Sequence, residues 1–505
     1  MQTTVKVLEF PLYIDGRWTP AKSGETFSVK NPATGEVIAM VAKAGKEDTE
    51  AAIASARKAF DSGVWSKKSP QERAQILINF GNKIVEHSQE LAFLEAISSG
   101  ATVRRISNLD ILYLVDLLQQ TAKFTVEYPF VESLPVIPFP GPSNNQVWRE
   151  GIGVVAAITP WNLPMLLAMW KIAPALAMGN SIVIKPASNT PLSTLKLAEL
   201  ATEAGVPAGV FNVVSGPGAT VGEVLATHPQ VDKIAFTGST EVGRRIMQLA
   251  SGTVKRVTLE LGGKSPSIVL PDADLDITVP GSLFGFCLHS GQLCESGTRL
   301  LVHDSIYDEV VDRLAKLASS ITIGNQLDMA NGMGPMASQQ QLDTVLSYVE
   351  AGIQEGARLV CGGKRLTGEG FDNGYYIEPT IFADVDNKMK IAQEEIFGPV
   401  LCVIRYSTIE EAIEIANDSI YGLAAGIWSK DVNKALKISR ELKAGTVWIN
   451  DWHMLRSDAP FGGYKQSGFG RELGRYALDE YTQVKHVHCS LTPELSQKPW
   501  YGILL

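Results

Sequence analysis

Cys294 is the residue whose type and surroundings most directly suggest chemistry. It lies in residues 290–297, Ser-Gly-Gln-Leu-Cys-Glu-Ser-Gly, where glycines on both sides favour a tight turn that exposes the sulfur. A thiolate in such a turn is a strong nucleophile for a carbonyl carbon. A lone cysteine is more often a small buried apolar residue, which is what we expect of Cys287, Cys361, Cys402 and Cys489.

Two polar residues at the ends of apolar segments are candidates to work with that sulfur. Glu260 ends an apolar strand in Leu-Glu-Leu-Gly-Gly-Lys, where loss of hydration would raise its pKa and suit it as a base near neutral pH. Asn162 follows another strand in Pro-Trp-Asn-Leu-Pro, where its amide and the backbone N–H of Cys294 could donate to an oxyanion. Taken singly, a salt-bridged glutamate and a turn asparagine are the commoner interpretations.

A phosphate-binding turn is indicated at residues 236–243, Phe-Thr-Gly-Ser-Thr-Glu-Val-Gly. This segment follows a strand and opens a helix, so its backbone N–H groups and the helix dipole favour a pyrophosphate. An ordinary strand-to-helix turn is an equally good interpretation of this segment alone. The pairs Gly151/Gly153 and Gly216/Gly218 lack the third glycine of a dinucleotide fingerprint and are more simply explained as turns.

Short apolar strands that alternate with helices position these residues. Strands are predicted at 154–158, 182–185, 210–214, 234–236 and 257–259, with helices at 165–178 and 193–204 between them. This order predicts a parallel, doubly wound sheet that binds ligands at the carboxyl ends of its strands. A second α/β series is predicted after Cys294, with strands at 300–303, 401–406, 424–428 and 446–449, and helices near 305–318, 409–417 and 431–442.

Composition excludes several classes of partner. The 505 residues carry 45 Lys and Arg against 54 Asp and Glu, a net charge of -9, which offers no general basic field for nucleic acid or anionic lipid. The longest apolar stretch, 163–170, is far shorter than the roughly 20 residues that cross a bilayer. No apolar signal core is visible at the N-terminus, and the cysteines form no metal-ligand pattern. We therefore expect a cytoplasmic protein without a metal site.

Seven segments in this order resemble the aldehyde dehydrogenase superfamily, and the similarity runs from about residue 11 to 490. They are Pro160-Trp161-Asn162, Lys185-Pro186, Phe236-Thr237-Gly238-Ser239, Leu259-Glu260-Leu261-Gly262-Gly263-Lys264, Gly291-Gln292-Leu293-Cys294, Glu395-Ile396-Phe397-Gly398-Pro399-Val400 and Pro460-Phe461-Gly462-Gly463-Tyr464-Lys465-Gln466-Ser467-Gly468.

The resemblance implies a role for each motif residue. Cys294 would attack the aldehyde, Asn162 would stabilise the oxyanion, Glu260 would activate water against the thioester, and Lys171 would relay protons. No metal would take part. Lys185 would contact the adenosine ribose, Glu395 would hold the nicotinamide ribose, and Phe397 would lie beside the nicotinamide. The implied cofactor-binding residues are Ile158, Thr159, Pro160, Trp161, Lys185, Ser188, Gly218, Phe236, Thr237, Gly238, Ser239, Val242, Leu261, Glu395 and Phe397.

The cofactor implied is NAD or NADP, and one departure from the family pattern bears on the choice. Many NAD-preferring relatives carry a glutamate three residues after the lysine that matches Lys185, and it repels a 2′-phosphate. Here that position is Ser188. We expect the loss of this charge to admit both cofactors.

The implied substrate pocket is mostly apolar and favours aliphatic, terpenoid or aromatic aldehydes. Its residues would be Leu163, Leu166, Trp170, Leu293, Glu295, Leu455 and Phe461. Relatives that oxidise semialdehyde acids can carry arginine in place of Trp170, so a carboxylate-bearing substrate is not expected. Glu295, Asp451 and Arg456 leave a cationic amino-aldehyde, such as betaine aldehyde, as an alternative.

Two other functions remain open from the sequence. A CoA-acylating enzyme would pass the thioester to a thiol instead of water, but Glu260 stands where the water-activating base is expected. A catalytically silent protein on the same fold is possible because fold alone does not fix function. The joint presence of Cys294, Glu260 and Asn162 argues against it.

The implied architecture is an α/β fold with a Rossmann-type cofactor domain, a second α/β catalytic domain and a small bridging β arm. The cofactor domain would comprise residues 1–128 and 151–262, and the catalytic domain 263–466. The arm 129–150, with Pro129, Pro135, Pro138, Pro140 and Pro142, and the tail 467–505 would mediate a homodimer or homotetramer. Residues 484–488 of the tail alternate as a strand does.

Overall fold

The computed structural model describes residues 7–137 and 141–504. Pro138 and Pro140 of the proline-rich arm lie outside the described residues, as do residues 1–6 of the N-terminal segment. Within the described part of the chain, no helix combines the length and apolarity that crossing a membrane requires. The same residues contain no group of His, Cys, Asp and Glu that could hold a metal ion.

The first sheet has the five predicted parallel strands at its centre. Their fully or mostly buried residues are what near-continuous apolar runs produce when helices cover both faces. Additional antiparallel strands extend both edges. In spatial order the eight strands are Gly468–Phe469, Arg256–Glu260, Lys233–Thr237, Val154–Ile158, Ser181–Lys185, Phe211–Val213, Leu12–Ile14 and Arg17–Thr19.

Helices pack on both faces of this sheet. Pro164–Ala177 and Leu192–Glu203 match the two predicted helices to within a residue or so at each end. Pro164 at the first turn and Gly179 just beyond the end, with a φ of 79°, mark the first of these helices. The other helices of this half are Lys46–Ser62, Pro70–Glu86, Ser88–Ser99, Val103–Arg105, Ile111–Glu127, Glu223–Thr227 and Thr240–Ala250.

The second sheet has seven strands. The four predicted ones are present, and Pro266–Val269 lies among them as a further parallel strand that sequence reasoning missed. The order is Arg358–Cys361, Thr380–Ala383, Val400–Tyr406, Arg299–His303, Pro266–Val269, Ala424–Trp428 and Thr446–Ile449. The helices are Leu275–Cys287, Tyr307–Ala318, Gln339–Gln354, Lys390–Gln393, Ile409–Asn417 and Val432–Ser439, followed by Gly474–Glu480 near the tail.

The tail forms the predicted strand, longer than the alternating residues alone indicated. Thr482–Ser490 pairs antiparallel with Ser143–Gly151 along its whole length, and Val131–Ser133 adds a third strand. The remaining strands form a sheet of Leu8–Phe10, Val37–Ala42 and Thr26–Lys30 and a pair of Tyr421–Gly422 with Tyr464–Lys465.

Candidate active site

The register of the first sheet brings four predicted site segments to the carboxyl ends of neighbouring strands. Thr237 pairs with Glu260, Phe236 pairs with Ile158, and Ile158 pairs with Lys185. Because these strands are parallel, the loops that leave their carboxyl ends emerge side by side. The predictions from separate motifs therefore converge on a single crevice.

Cys294 lies in a turn whose close backbone contacts require glycine at positions 263 and 291. The turn leaves helix Leu275–Cys287 through a left-handed backbone at His289, Ser290 and Gly291, with φ values of 53°, 55° and 70°. A Cβ at Gly291 would lie 2.2 Å from the carbonyl oxygen of Gly398, and a Cβ at Gly263 would lie 2.3 Å from that of Cys294. These contacts lock the turn between the loops that carry the Glu260 and Glu395 motifs.

The sulfur of Cys294 is held as a thiol. Its S–H donates to Oε2 of Glu295 at 3.3 Å. Burial first, and then the nearby carboxylates of Glu295, Glu260 and Glu395, hold the pKa of this thiol well above its usual value. A base must therefore remove its proton before or during attack on an electrophile.

Asn162 is oriented as an oxyanion donor requires. It is buried, and Nδ2 donates to the backbone carbonyl of Gln292 at 2.8 Å. Gln292 is fixed in turn, because its Oε1 accepts from the backbone N–H of Ala337 at 2.9 Å. The second N–H of the Asn162 amide remains available to a ligand. Nothing in the sequence marked Gln292 as the residue that aims Asn162.

Glu260 is buried with neither carboxylate oxygen hydrogen-bonded. Burial first, and then repulsion from Glu472, raises the pKa of its carboxyl group well above the ordinary value. Lys171 makes no hydrogen bond to Glu260. Its Nζ instead lies 2.7 Å from Oε1 of Glu472 and 2.8 Å from Oγ1 of Thr237. Glu472, which sequence reasoning missed, thus keeps the predicted relay lysine in a buried ion pair.

One cavity of about 250 Å³, here called the Glu395 cavity, lies on one side of Cys294. Ten predicted residues line it, and Leu167, Gly262, Gln341, Thr344, Tyr348 and Ile396 complete the wall without having been predicted. The ten are Pro160, Trp161, Asn162, Thr237, Gly238, Ser239, Leu261, Cys294, Glu395 and Phe397.

The walls of the Glu395 cavity suit a dinucleotide. Ser239 caps helix Thr240–Ala250 by accepting from the backbone N–H of Val242 at 3.3 Å, and this helix N-terminus favours an anion. Oε1 of Glu395 accepts from the N–H of Gly263 at 3.0 Å, and burial raises the pKa of its carboxyl group to about 7. The rings of Trp161 and Phe397 meet edge to face at 5.2 Å, with Phe397 at a φ of 58°.

The remaining cofactor predictions lie around the adjacent turn at 216–222. Oγ of Ser188 donates to the carbonyl of Gly216 at 3.2 Å, and a Cβ at Gly222 would contact both Ile158 and Lys185. Lys185 donates to the carbonyl of Pro186 at 2.9 Å, and burial lowers its pKa to about 8. Gly218 and Val242 are exposed, Thr159 keeps a buried hydroxyl without a partner, and Phe236 is buried under Gly238.

A second cavity of about 170 Å³, here called the His453 cavity, borders the Cys294 turn at Leu293 and Glu295. The predicted residues Leu163, Leu166, Leu293, Glu295 and Leu455 line it. Trp170 and Phe461 do not line it; their rings pack on one another at 5.2 Å, in the same apolar cluster as Leu163, Leu166 and Leu293. The walls that the sequence did not reveal are Arg105, Leu109, Asp110, Tyr113, Phe284, Leu288, His453 and Met454.

The charges in the His453 cavity are already paired. Arg105 donates to Oδ2 of Asp110 at 2.8 Å and 3.2 Å, and Nδ1 of His453 lies 2.9 Å from Oε1 of Glu295. All four side chains are buried. Asp451 and Arg456, which sequence reasoning placed near the mouth, are not in this wall, and Arg456 pairs with Asp458 at the surface.

Comparison with known proteins gives matches along nearly the whole chain. A family model described as "Aldehyde dehydrogenase family" matches residues 18–487. A betaine aldehyde dehydrogenase of Bacillus subtilis (strain 168) is 48% identical over 483 residues, which are 95% of this chain and 98% of that protein. A mitochondrial aldehyde dehydrogenase of Leishmania tarentolae is 44% identical over 489 residues, 97% and 96% of the two chains.

A solved structure gives the same result for the fold. The crystal structure of betaine aldehyde dehydrogenase from Staphylococcus aureus in complex with NAD+ matches with a TM-score of 0.94 at 42% identity. The match covers 97% of each chain.

Proposed function

This chain belongs to the aldehyde dehydrogenase family, and on that premise we propose that it oxidises aldehydes with an apolar body to carboxylic acids, with Cys294 as the nucleophile. It is an NAD(P)-dependent enzyme. The observation that carries the proposed substrate class is the charge pairing of the His453 cavity. With Arg105 bound to Asp110 and His453 bound to Glu295, the free surface offered to a substrate is apolar.

The chain's own residues account for the chemistry. The Cys294 sulfur attacks the carbonyl carbon, and the free N–H of Asn162 donates to the oxyanion, a contribution worth about 3 kcal/mol for a donor of this kind. The bound nicotinamide cofactor supplies the hydride acceptor. Glu260 takes a proton from the water that hydrolyses the resulting thioester, because its unpaired buried carboxyl has a raised pKa that suits a base. This role favours hydrolysis over transfer to CoA.

A second candidate is a cationic amino-aldehyde. Two of the compared proteins are named betaine aldehyde dehydrogenases, and Asp110 and Glu295 place carboxylates in the cavity wall. A cation needs a carboxylate that is free or an aromatic cage. Both carboxylates are already paired, and the aromatic ring of His453 is itself bound to Glu295, which leaves Tyr113 and Phe284 in this wall, so the apolar class is favoured.

The size of the space favours a long or bulky body. The His453 cavity adjoins a larger apolar groove of about 500 Å³ and shares Arg105, Leu109, Phe284 and Leu288 with it. Its other walls include Leu283, Leu317, Ile321 and Met333. An aliphatic chain that outgrows the cavity would continue into this groove, and burial of each additional CH₂ would favour binding by about 0.8 kcal/mol.

A substrate panel tests the proposal. We expect kcat/KM for octanal and benzaldehyde to exceed that for betaine aldehyde and succinate semialdehyde by at least about tenfold. A tenfold ratio corresponds to the burial of nearly two CH₂ groups, at about 0.8 kcal/mol each. A preference for betaine aldehyde would establish the second candidate. A preference for succinate semialdehyde would contradict both.

We also propose that the three-stranded sheet of the tail and arm joins subunits into a homodimer or homotetramer. Val131, Trp148 and Val484 lie on it with large exposed apolar surfaces, which a neighbouring subunit would cover. Light scattering of the purified protein measures the assembly directly. A monomer at micromolar concentration would contradict this proposal.

A further inference from the structure

Glu260 makes no hydrogen bond to the Cys294 sulfur, but Glu295 does. Both oxygens of Glu260 are without hydrogen-bond partners, whereas Oε2 of Glu295 accepts from the thiol at 3.3 Å. The two carboxylates therefore stand in different relations to the reaction. One faces the sulfur proton, and the other is free to meet a water.

Glu295 is itself held by His453. Nδ1 of the imidazole lies 2.9 Å from Oε1 of Glu295, and Nε2 lies 3.1 Å from the carbonyl oxygen of Gly285. The carbonyl of Gly285 can only accept, so Nε2 carries a proton. Nδ1 lies against the Glu295 carboxylate, and the pair is buried.

The backbone at His453 is also unusual. It lies at a φ of 60°, a left-handed conformation that is unfavourable for a non-glycine residue. The edge-to-face contact of its ring with Phe284, at 5.5 Å, fixes the imidazole further. An unfavourable conformation persists where the surrounding structure determines it, and such positions cluster at active sites.

We propose that Glu295 is the base that accepts the Cys294 thiol proton, with His453 as the residue that positions it. As the sulfur lone pair forms the bond to the aldehyde carbon, the S–H bond breaks and its proton passes to Oε2 of Glu295. When hydrolysis expels the sulfur from the thioester intermediate, the same proton returns to it. Glu260 handles only the water proton, so the two carboxylates divide the reaction between them.

The other titratable groups near this relay leave it without a competing hydrogen-bond partner. Arg105 and Asp110 neutralise one another across the His453 cavity, and Tyr113 is a neutral phenol whose pKa burial raises. Glu260 and Glu395 act on Cys294 through charge alone and disfavour a free thiolate. Proton transfer to Glu295 in step with bond formation avoids that thiolate.

The inference rests on the proposed role of Cys294 and is tested first without turnover. Iodoacetamide labels the purified enzyme, and mass spectrometry follows the Cys294 peptide against pH. The wild-type rate should stay nearly constant from about pH 6.5 to 8.5, because Glu295 takes the proton. In Glu295→Gln only free thiolate reacts, so the rate should rise about tenfold per pH unit.

The second measurement is the first turnover with octanal in rapid mixing. At pH 7 Glu295→Gln should form its first equivalent of NADH at least about 100-fold more slowly, the lower range for general-base catalysis. Glu260→Gln is the matched control and should keep a fast first equivalent. Burial raises the pKa of Glu295, and the His453 hydrogen bond lowers it. In His453→Gln the pKa of Glu295 should therefore rise, and the pH below which the first-turnover rate falls should shift to a higher value.

Each outcome decides something. A wild-type pH profile in Glu295→Gln, or the same fractional loss at every pH, would overturn the relay and leave Glu295 a structural role. If Cys294→Ser still oxidised aldehydes, the proposed nucleophile itself would be wrong, whatever Glu295 does.

Discussion

The two cavities that meet at the Cys294 turn are built in opposite ways. The Glu395 cavity is walled mainly by loops that follow strand ends, where Thr237, Ser239 and Leu261 belong to continuous motifs, and helix Gln339–Gln354 closes part of it. The His453 cavity is walled largely by side chains from helices and a distant loop, among them Tyr113, Phe284 and His453. The chemistry is thus carried by short local segments, whereas substrate choice depends on residues that only the tertiary fold brings together.

The largest effect is expected at Glu260, because hydrolysis of the thioester depends on it whichever aldehyde or cofactor is bound. Glu260→Gln should lower steady-state turnover about 1000-fold, within the range for loss of a general base, while one equivalent of NADH still forms. In the wild type, turnover should rise with pH through a pKa well above that of an ordinary glutamate, because burial and Glu472 favour the protonated form. Single-turnover and steady-state rates measured against pH check this. Equal loss in both would show that Glu260 acts before the thioester.

Ser188, on the turn beside the Glu395 cavity, should control only the choice of cofactor. Ser188→Glu should lower kcat/KM for NADP about 100-fold and leave that for NAD within about twofold, since juxtaposed like charges cost several kcal/mol. Ser188→Gln is the control of similar size without charge. In the wild type, an NADP rate below about a thousandth of the NAD rate would contradict dual use, because so large a penalty needs a repulsive charge.

The His453 cavity should control only the aldehyde. Leu455→Arg places a cation against its apolar wall, so kcat/KM for octanal should fall about 30-fold, as loss of one buried leucine contact implies. The KM for NAD should stay unchanged, and oxidation of succinate semialdehyde should increase. Leu455→Met is the control for shape. If octanal and NAD kinetics deteriorated together, the separation of the two cavities would be wrong.

This contrast also explains what the sequence could predict. Strand Val154–Ile158 and its parallel neighbours were predicted to within about a residue because apolar runs bounded by turn signals are local features. Pro266–Val269 was missed because a strand of four residues, Pro-Ser-Ile-Val, is too short to show a period. Edge strands such as Gly468–Phe469 are set by their partner and carry no pattern of their own.

Partnerships between distant residues were the other limit. Lys171 was found by its motif, but its partner Glu472 lies 301 positions away, and His453 lies 158 positions from Glu295. No period or spacing links such pairs in a single sequence. The same limit applies to Trp170 and Phe461, which were predicted in the substrate wall: their rings pack on one another, and neither lines the His453 cavity.

The smallest predicted effect separates the cavities by pH. Burial raises the pKa of Glu395 to about 7, so its carboxylate, which accepts hydrogen bonds from hydroxyls, forms as pH rises through neutrality. The Kd for NADH, measured by fluorescence without aldehyde, should therefore fall up to about tenfold between pH 6 and 8, the change in the ionised fraction across one unit either side of the pKa. Glu395→Gln keeps an oxygen for the Gly263 N–H but cannot ionise, so its Kd should not vary with pH. A variant with the wild-type slope would assign the titration to another group. A flat wild type would mean that Glu395 does not meet the cofactor hydroxyls.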